Sequence, residues 1–269
     1  MERNMVSPIR ESRQGFVLTI TLSDPDRRNA LSDAMVAALM EAFDRAAQDE
    51  GLRAVVLRGD GSAFCAGADL GATVERLGGG DEAKAAIKRV NCEAGALFAR
   101  FSGLPLCTFA VVHGPAMGGG FGLAACADVV LATPDARFSL SETTLGLLPG
   151  QISPYVAARC GSRNATRLSL TAARIDGAGA REVGLVDELC ETMEILEARL
   201  FEMLKGVGRC AREANAETKA LFRSLALPVS DDFRDRAASA FLARLEHPEG
   251  REGVTAFIEK RRPNWVEQP

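Results

Sequence analysis

Three consecutive glycines, Gly118 to Gly120, constrain the fold more than any other stretch of the sequence. They follow the apolar run 107–113, which predicts a buried strand, and they precede the small-residue segment 121–127, which predicts a closely packed helix. Consecutive glycines cost backbone entropy and are expected where the backbone approaches another group or exposes an N–H. A helix start leaves N–H groups unpaired and favours negative charge. Residues 117–120 therefore predict either an anion-binding site or close helix–strand packing.

Strand and helix patterns alternate over the first two thirds of the chain and then give way to helices alone. Strand patterns lie at 16–22, 53–59, 107–113 and 128–132. Amphipathic patterns predict one helix after the N-cap candidate Ser32 and a longer one at 81–101. We therefore predict an α/β fold class in two parts, a mixed core over 1–190 and an all-helical region over 191–269.

Composition and charge narrow the function classes. The 269 residues carry a net charge of -4, whereas nucleic-acid-binding modules usually have a basic excess. Seven scattered cysteines without a C-x-x-C pair indicate free thiols in a reducing compartment, and with two histidines a histidine-rich metal site is not expected. No run has the length of a signal-peptide core or a membrane span. We expect a cytoplasmic protein with no nucleic-acid partner, no membrane partner and no metal.

Four collinear stretches of the chain resemble the enoyl-CoA hydratase/isomerase (crotonase) superfamily. They are 22–31 (LSDPDRRNAL), 63–70 (AFCAGADL), 114–128 (GPAMGGGFGLAACAD) and 255–261 (TAFIEKR). The resemblance implies a crotonase-type spiral of ββα units with an α-helical C-terminal trimerisation region, assembled as a homotrimer or a dimer of trimers. It also implies an acyl-CoA substrate, with coenzyme A entering as part of the thioester and no permanently bound cofactor.

The same resemblance assigns site residues by position. The backbone N–H groups of Ala68 and Gly119 would stabilise a thioester enolate, as preoriented donors do. The substrate-binding positions it implies are Arg27, Arg28, Ala66, Ala68, Asp69, Leu70, Gly118, Gly119, Gly122, Gln151, Phe257 and Lys260. A solvated turn explains the two arginines equally well, and a solvated helix face explains Lys260. The basic residue usual after the GAD motif is Gly71 here.

One carboxylate of the family's usual catalytic pair is missing. Many hydratases of the family carry a glutamate three residues after the oxyanion glycine and a second one twenty residues further on. These positions are Gly122 and Glu142 in this sequence. Burial beside a thioester would raise the pKa of a lone Glu142 toward neutrality and suit it to general acid–base catalysis. The alternative is a charge placed at a helix start.

The sequence around Gly122 and Glu142 resembles one branch of the superfamily. The pattern GGG-x-G-L with S-E-T-x-L-G-L-x-P-x-Q-I-S-P resembles hydratases of 3-methylglutaconyl-CoA or isohexenylglutaconyl-CoA. Those substrates have a distal carboxylate, and we hypothesise that Gly122 makes room for it or avoids repelling it. Gln151 and Arg159 are candidates for recognising the substrate, although ordinary helix surface explains Arg159 better.

Two other functions remain open at this point. A Δ3,Δ2-enoyl-CoA isomerase needs a single base and fits Glu142 equally well, and a non-catalytic acyl-CoA-binding protein would keep the fold without turnover. The segment 71–82 is expected to line the acyl pocket, and a solvated helix turn explains its Glu75 and Arg76 better than a polar contact with the substrate.

Overall fold

The computed structural model describes residues 7–69, 80–224, 247–249, 252, 256 and 259–265. The strands are β1 (Ile9–Gln14), β2 (Val17–Leu22), β3 (Ala54–Gly59), β4 (Cys107–Val112), β5 (Pro115–Met117), β6 (Val129–Ala132), β7 (Arg137–Ser139), β8 (Ile175–Asp176) and β9 (Glu188–Leu189). The helices are α1 (Asp33–Gln48), α2 (Gly80–Ser102), α3 (Gly119–Cys126), α4 (Ser153–Thr171), α5 (Gly177–Glu182), α6 (Met193–Val207) and α7 (Arg212–Arg223). Short 3-10 turns cover Pro25–Arg27 and Glu142–Leu145.

Six strands form the main sheet in the order β1-β2-β3-β4-β6-β9. The β1–β2 pair is antiparallel, and the remaining neighbours are parallel. Parallel strands are usually covered on both faces and therefore read as continuous apolar runs. Strand β3 fits this rule, since its first four residues are all buried.

Helices cover the two faces of the main sheet and create two hydrophobic clusters. On one face, side chains of α1 to α4 pack against Ile20, Val55 and Leu57. On the other face, Leu196, Leu200 and Leu204 of α6 join a second cluster with strand residues of β2, β3 and β4. The sheet is therefore the central layer of an α/β structure, which confirms the predicted fold class.

A smaller sheet lies beside the main one and carries the loops of the candidate site. Its strand order is β5-β7-β8. One isolated parallel bridge, Cys65 with Ala116 of β5, attaches the segment after β3 to this sheet, and a second, Leu31 with Ala68, attaches the same segment to the turn before α1. The loop after β3 and the glycine triplet after β5 are therefore held side by side.

Local sequence signals account for several element boundaries. The Ser32 hydroxyl accepts a hydrogen bond from the Met35 N–H and caps α1 as predicted. Gly161 has φ +74, a conformation that favours glycine, and it interrupts α4. Helix α3 begins at Gly119 rather than at residue 121, because two of the three glycines belong to its first turn.

Strands β1, β5 and β8 were not predicted, and some predicted segments lie outside the described residues. The sequence patterns did not predict β1, where Ile9 is buried and the following five residues are exposed. Residues 225–246 of the predicted all-helical region and residues 71–79 of the predicted pocket segment lie outside the described residues. The division of the chain at residue 190 stays a prediction, and α6 shares a hydrophobic cluster with the sheet.

Two features are absent from the described ranges. Across these ranges, no helix is long and apolar enough to cross a membrane. Within the same ranges, no three side chains of His, Cys, Asp or Glu are grouped so that they could hold a metal ion.

Candidate active site

Two loops meet at the edge of the small sheet, the one after β3 and the one between β5 and α3. The Met117 N–H donates to the Cys65 carbonyl at 2.9 Å, and the Cys65 N–H donates to the Pro115 carbonyl at 3.1 Å. Gly67 has φ +92, and a Cβ there would lie 2.6 Å from the Met117 carbonyl oxygen and 3.3 Å from the Gly119 nitrogen. A side chain at position 67 would therefore force the two loops apart.

Each loop presents a backbone N–H without an acceptor inside the described structure. Gly119 is the first residue of α3, so its N–H has no intrahelical partner. Ala68 forms a bridge with Leu31 in which the Leu31 N–H donates to the Gly67 carbonyl at 2.7 Å. Within the described ranges, neither the Ala68 N–H nor the Gly119 N–H donates a hydrogen bond. Two donors on adjoining segments are therefore available to a ligand.

The Glu142 carboxylate lies against the turn that precedes Gly119. A Cβ at Gly118 would lie 3.0 Å from Glu142 Oε1 and 3.9 Å from Oε2. Glu142 Oε2 is buried and has no hydrogen-bond partner among the described residues. Burial raises the pKa of the Glu142 carboxyl above its ordinary value. A carboxyl group that exchanges a proton closer to neutral pH is suited to general acid–base catalysis.

The space beside Gly122 is filled by apolar side chains of the protein itself. A Cβ at Gly122 would clash with Ile152 Cγ2 and would lie 3.2 Å from Phe98 Cε1. Gly122 is itself buried within α3. This packing corrects the hypothesis that Gly122 makes room for a distal carboxylate, because Ile152 and Phe98 take up that room.

A buried asparagine fixes the turn before α1 against the loop after β3. Asn29 is fully buried, and its Nδ2 donates to the carbonyls of Asp60 and Ala63, each at 2.9 Å. Its Oδ1 accepts from the Asp24 N–H at 2.9 Å. The role of Asn29 was not predicted from the sequence. The one local indication is that Asn29 follows turn residues. Asparagine tolerates the left-handed backbone conformation, which it adopts here with φ +56.

The predicted coenzyme A contacts cluster around this turn. The Ala66 N–H donates to the Arg28 carbonyl at 2.9 Å, and Arg27 forms an ion pair with Asp69 at 3.5 Å. Arg28 also borders a cavity of about 570 Å³ together with Arg137 and Arg174. Guanidinium groups are well suited to phosphate recognition.

The remaining predicted substrate-binding residues differ in their contacts and exposure. Gln151 bonds to Asn91 on α2. Arg159 is structural, because it donates to the carbonyls of Leu185, Ala127 and Asp128 and pairs with Asp187. Lys260 is exposed, and the structure places it in a turn with φ +55. Leu70 and Phe257 lie outside the described residues.

The cysteine closest to the two loops is not activated. Cys65 is fully buried, and burial raises the pKa of its thiol to about 12. The thiolate is the nucleophilic form, so Cys65 is inert at neutral pH. Among the described titratable groups beside the two loops, Glu142 is thus the better acid–base candidate.

Comparison with known proteins identifies the family. The enoyl-CoA hydratase/isomerase family model matches residues 12–268. A putative enoyl-CoA hydratase of Thermus thermophilus is 35% identical over 258 residues, covering 94% of this chain and 98% of that protein. The 2,3-dehydroadipyl-CoA hydratase of Escherichia coli is 32% identical and covers 94% of this chain and 96% of its own length.

Solved structures agree with the sequence relatives. An enoyl-CoA hydratase/isomerase from Marinobacter aquaeolei is 38% identical with a TM-score of 0.90, covering 97% of this chain and 100% of its own. Pseudomonas aeruginosa AtuE is 41% identical with a TM-score of 0.91 and the same coverage. The chain therefore belongs to the enoyl-CoA hydratase/isomerase family and has the crotonase fold. Within that family it is a hydratase-type enzyme.

Proposed function

We propose that this protein adds water to the double bond of a 2-enoyl-CoA thioester, with Glu142 as its acid–base residue. The observation that carries the proposal is the buried, unpartnered Oε2 of Glu142 beside the glycine turn of α3. Leaving a buried polar atom unpaired costs free energy, so such an atom is a common feature of a site completed by its ligand.

Two backbone donors stabilise the enolate in this proposal. Attack at the β-carbon of an enoyl thioester moves an electron pair onto the thioester oxygen. The N–H groups of Ala68 and Gly119 donate to that oxygen as its negative charge develops. Donors that are already oriented contribute most when the charge appears, and removal of one such donor typically slows turnover about 100-fold or more.

Glu142 handles the proton in both directions. Its carboxylate accepts a proton from water while the water oxygen bonds to the β-carbon and the enolate forms. The protonated Glu142 then returns that proton to the α-carbon, which restores the thioester. The net result is one water molecule added and the carboxylate regenerated, so one residue with a raised pKa suffices.

The coenzyme A part of the substrate is expected along the loop after β3. Arg27 and Arg28 are the proposed phosphate contacts. Ala66 and Ala68 are the proposed contacts near the adenine, and Asp69 and Leu70 are further proposed substrate contacts. The ion pair of Arg27 with Asp69 and the arginine-lined cavity at Arg28 support this location. Phe257 and Lys260 are proposed to reach the ligand from the C-terminal region.

The acyl part of the substrate is proposed to be of the glutaconyl type, with a second carboxylate. One relative is named a 2,3-dehydroadipyl-CoA hydratase, which supports a dicarboxylic thioester as a substrate class. Gly118, Gly119 and Gln151 are the proposed neighbours of the acyl chain. Gly122 contributes to the acyl site indirectly, because its lack of a side chain leaves space for Ile152.

A second candidate function is double-bond migration. The apolar packing of Ile152 and Phe98 beside Gly122 favours it, because no carboxylate at that position helps to hold a water molecule. A Δ3,Δ2-enoyl-CoA isomerase needs a single base that shuttles a proton between two carbons. The two functions differ in whether oxygen from water appears in the product.

The deciding experiment compares Glu142→Gln with the exposed control Glu191→Gln. Both variants are assayed for water addition and for double-bond migration on a panel of acyl-CoA thioesters. We expect Glu142→Gln to lose roughly 100-fold to 10,000-fold in kcat while it still binds acyl-CoA. Unchanged turnover in Glu142→Gln would remove this residue from the mechanism, and migration without water addition would favour the isomerase.

Self-assembly into a trimer or a dimer of trimers is part of the proposal. Apolar side chains at Leu145, Leu147, Leu148 and Leu170 are 51% to 75% exposed in the single chain. Such a concentration of exposed leucines commonly marks an interface. Light scattering coupled to size-exclusion chromatography checks this point, and a monomer at micromolar concentration would contradict it.

A further inference from the structure

A pair of side-chain amides bridges helix α2 and the start of helix α4. Gln151 Nε2 donates to Asn91 Oδ1 at 2.9 Å. The Gln151 carboxamide rests on Gly95, where a Cβ would lie 2.7 Å from Gln151 Cδ. Glycine at position 95 therefore provides the notch that holds Gln151 against α2.

The amide pair lies on the face of α2 that leads to the candidate active site. Residues 91, 95 and 98 are spaced by four and three positions, so they share one helix face. At the inner end, Phe98 Cζ would lie 3.6 Å from a Cβ at Gly119. At ~1.5 Å of rise per residue, Gly95 and Asn91 lie about 4.5 and 10 Å further along the axis. Gly95 and Asn91 are thus about one and two helical turns beyond Phe98, the α2 residue that faces Gly119.

The surroundings change from apolar to polar along this path. Phe98 and Ile152 form the apolar part near Gly122. Beyond them, one hydrogen of Gln151 Nε2 is used in the bond to Asn91. The bond is exposed, and the other Gln151 Nε2 hydrogen and the Asn91 Nδ2 group have no acceptor among the described residues, so solvent or a ligand can reach them. Amide N–H groups in this arrangement donate to acceptors such as a carboxylate.

We propose that the Asn91–Gln151 pair forms the distal end of the acyl site and selects enoyl thioesters that end in a carboxylate. The proposal rests on the proposed function, since it places the thioester at Ala68 and Gly119. An acyl chain that starts at these N–H groups passes Phe98 and Ile152 with its methylene carbons. Its terminal carboxylate then accepts hydrogen bonds from the two amides.

The test compares two thioesters of equal chain length, 2,3-dehydroadipyl-CoA and trans-2-hexenoyl-CoA. Gln151→Met and Asn91→Leu remove the donors and keep similar volume. We expect each variant to raise KM for the diacid thioester so that its kcat/KM falls at least about tenfold further than kcat/KM for hexenoyl-CoA does. Gly95→Ala displaces the Gln151 carboxamide from its notch, so the same loss of preference is expected.

Gln48→Met is the matched control, because Gln48 is an exposed glutamine at the end of α1. An equal loss on both thioesters, or an unchanged preference in all three variants, overturns the assignment of the amide pair. Water addition to hexenoyl-CoA would still stand in that case, and the proposed function with it. A wild-type enzyme that hydrates neither thioester overturns the proposed function together with this inference.

Discussion

Two glycines at the site matter through the space that they leave for neighbouring atoms. Gly67 brings its loop against the Met117 carbonyl, and Gly118 leaves the Glu142 carboxylate next to the start of α3. Both have positive φ, which L side chains rarely adopt, with values of +92 and +48. At each of the two positions, both the positive φ and the close neighbouring atom therefore require glycine.

Gly118→Ala is predicted to damage catalysis more than stability. The new Cβ would lie 3.0 Å from Glu142 Oε1, so the carboxylate must shift. Backbone strain is expected to cost about 1–3 kcal/mol of unfolding free energy. Gly146→Ala is the control, since Gly146 has φ +69 and a Cβ there would have no heavy atom of the described residues within 4 Å. Equal kcat in the two variants would contradict the placement of Glu142, and urea unfolding measures the strain in each.

Glu142→Gln is predicted to stabilise the folded protein at neutral and alkaline pH. The pKa of Glu142 is raised by burial, so the folded state holds this proton more tightly than the unfolded chain does. Stability from the protonated form is complete below the ordinary value of 4.5 and is lost as pH rises through the folded pKa. Glutamine mimics the protonated form and removes that loss.

The expected gain for Glu142→Gln is about 1 kcal/mol at pH 8, the lower end for an unpaired buried polar atom, and it should vanish near pH 4. Thermal unfolding of both proteins across this pH range measures the difference. The exposed Glu191→Gln should show no such trend. A gain that grows toward low pH would mean that the carboxylate is stabilised in the fold rather than penalised.

Asn29→Ala is predicted to destabilise the protein by about 2–4 kcal/mol, since several buried backbone groups lose their partner at once. The carbonyls of Asp60 and Ala63 and the N–H of Asp24 all bond to Asn29. Urea denaturation gives the free energy of unfolding directly. Asn215→Ala, on α7, serves as the comparison, and a loss of under ~0.5 kcal/mol at position 29 would contradict the role assigned to this side chain.

At the scale of elements, α3 and the start of α4 pack through apolar contacts at position 122, where many relatives are expected to carry a carboxylate. Gly122 of α3 meets Ile152 and Phe98, so the two helices approach closely at that point. The sequence shows that Gly122 lacks a carboxylate. It does not show what fills the space, because the filling residue is thirty positions away and the contact is tertiary.

Gly122→Ala is predicted to cost about 1–3 kcal/mol by overpacking, because its Cβ would clash with Ile152 Cγ2. Ile152→Ala alone should also destabilise, by leaving a cavity. The double variant should be more stable than the sum of the two losses by about 1 kcal/mol, since each change relieves the other. A double-mutant cycle from urea unfolding measures this coupling, and additive losses would mean that the two side chains do not compete for one space.

Helix α1 and the buried strands were predicted from the sequence, whereas β1, β5 and β8 were not. Helix α1 and its Ser32 cap follow from local pattern and local hydrogen bonding. Strand β1 has a single buried residue and no alternation, so its backbone pairing with β2 defines it. Strands β5 and β8 have three and two residues, too few to produce a periodic signal.

At the scale of the whole molecule, the order of the motifs predicted the family and the location of the candidate site. The 63–70 and 114–128 stretches are far apart in sequence, and the bridge between Cys65 and Ala116 brings them together. The roles of Asn29 and Ile152 could not be predicted, because each depends on partners that only the folded chain supplies. The individual site assignments remain predictions that the kinetic tests address.

The central claim is that Glu142 is the acid–base residue that catalyses the addition of water to the double bond of an enoyl thioester. The measurement that tests it most directly is mass spectrometry of the product formed in ¹⁸O-labelled water from a 2-enoyl-CoA, with wild type, Glu142→Gln and Glu191→Gln in parallel. We predict one labelled oxygen in the hydroxyacyl-CoA product from wild type and Glu191→Gln, at a rate that falls at least about 100-fold in Glu142→Gln. Product without labelled oxygen, or label incorporated equally fast by Glu142→Gln, would contradict the account.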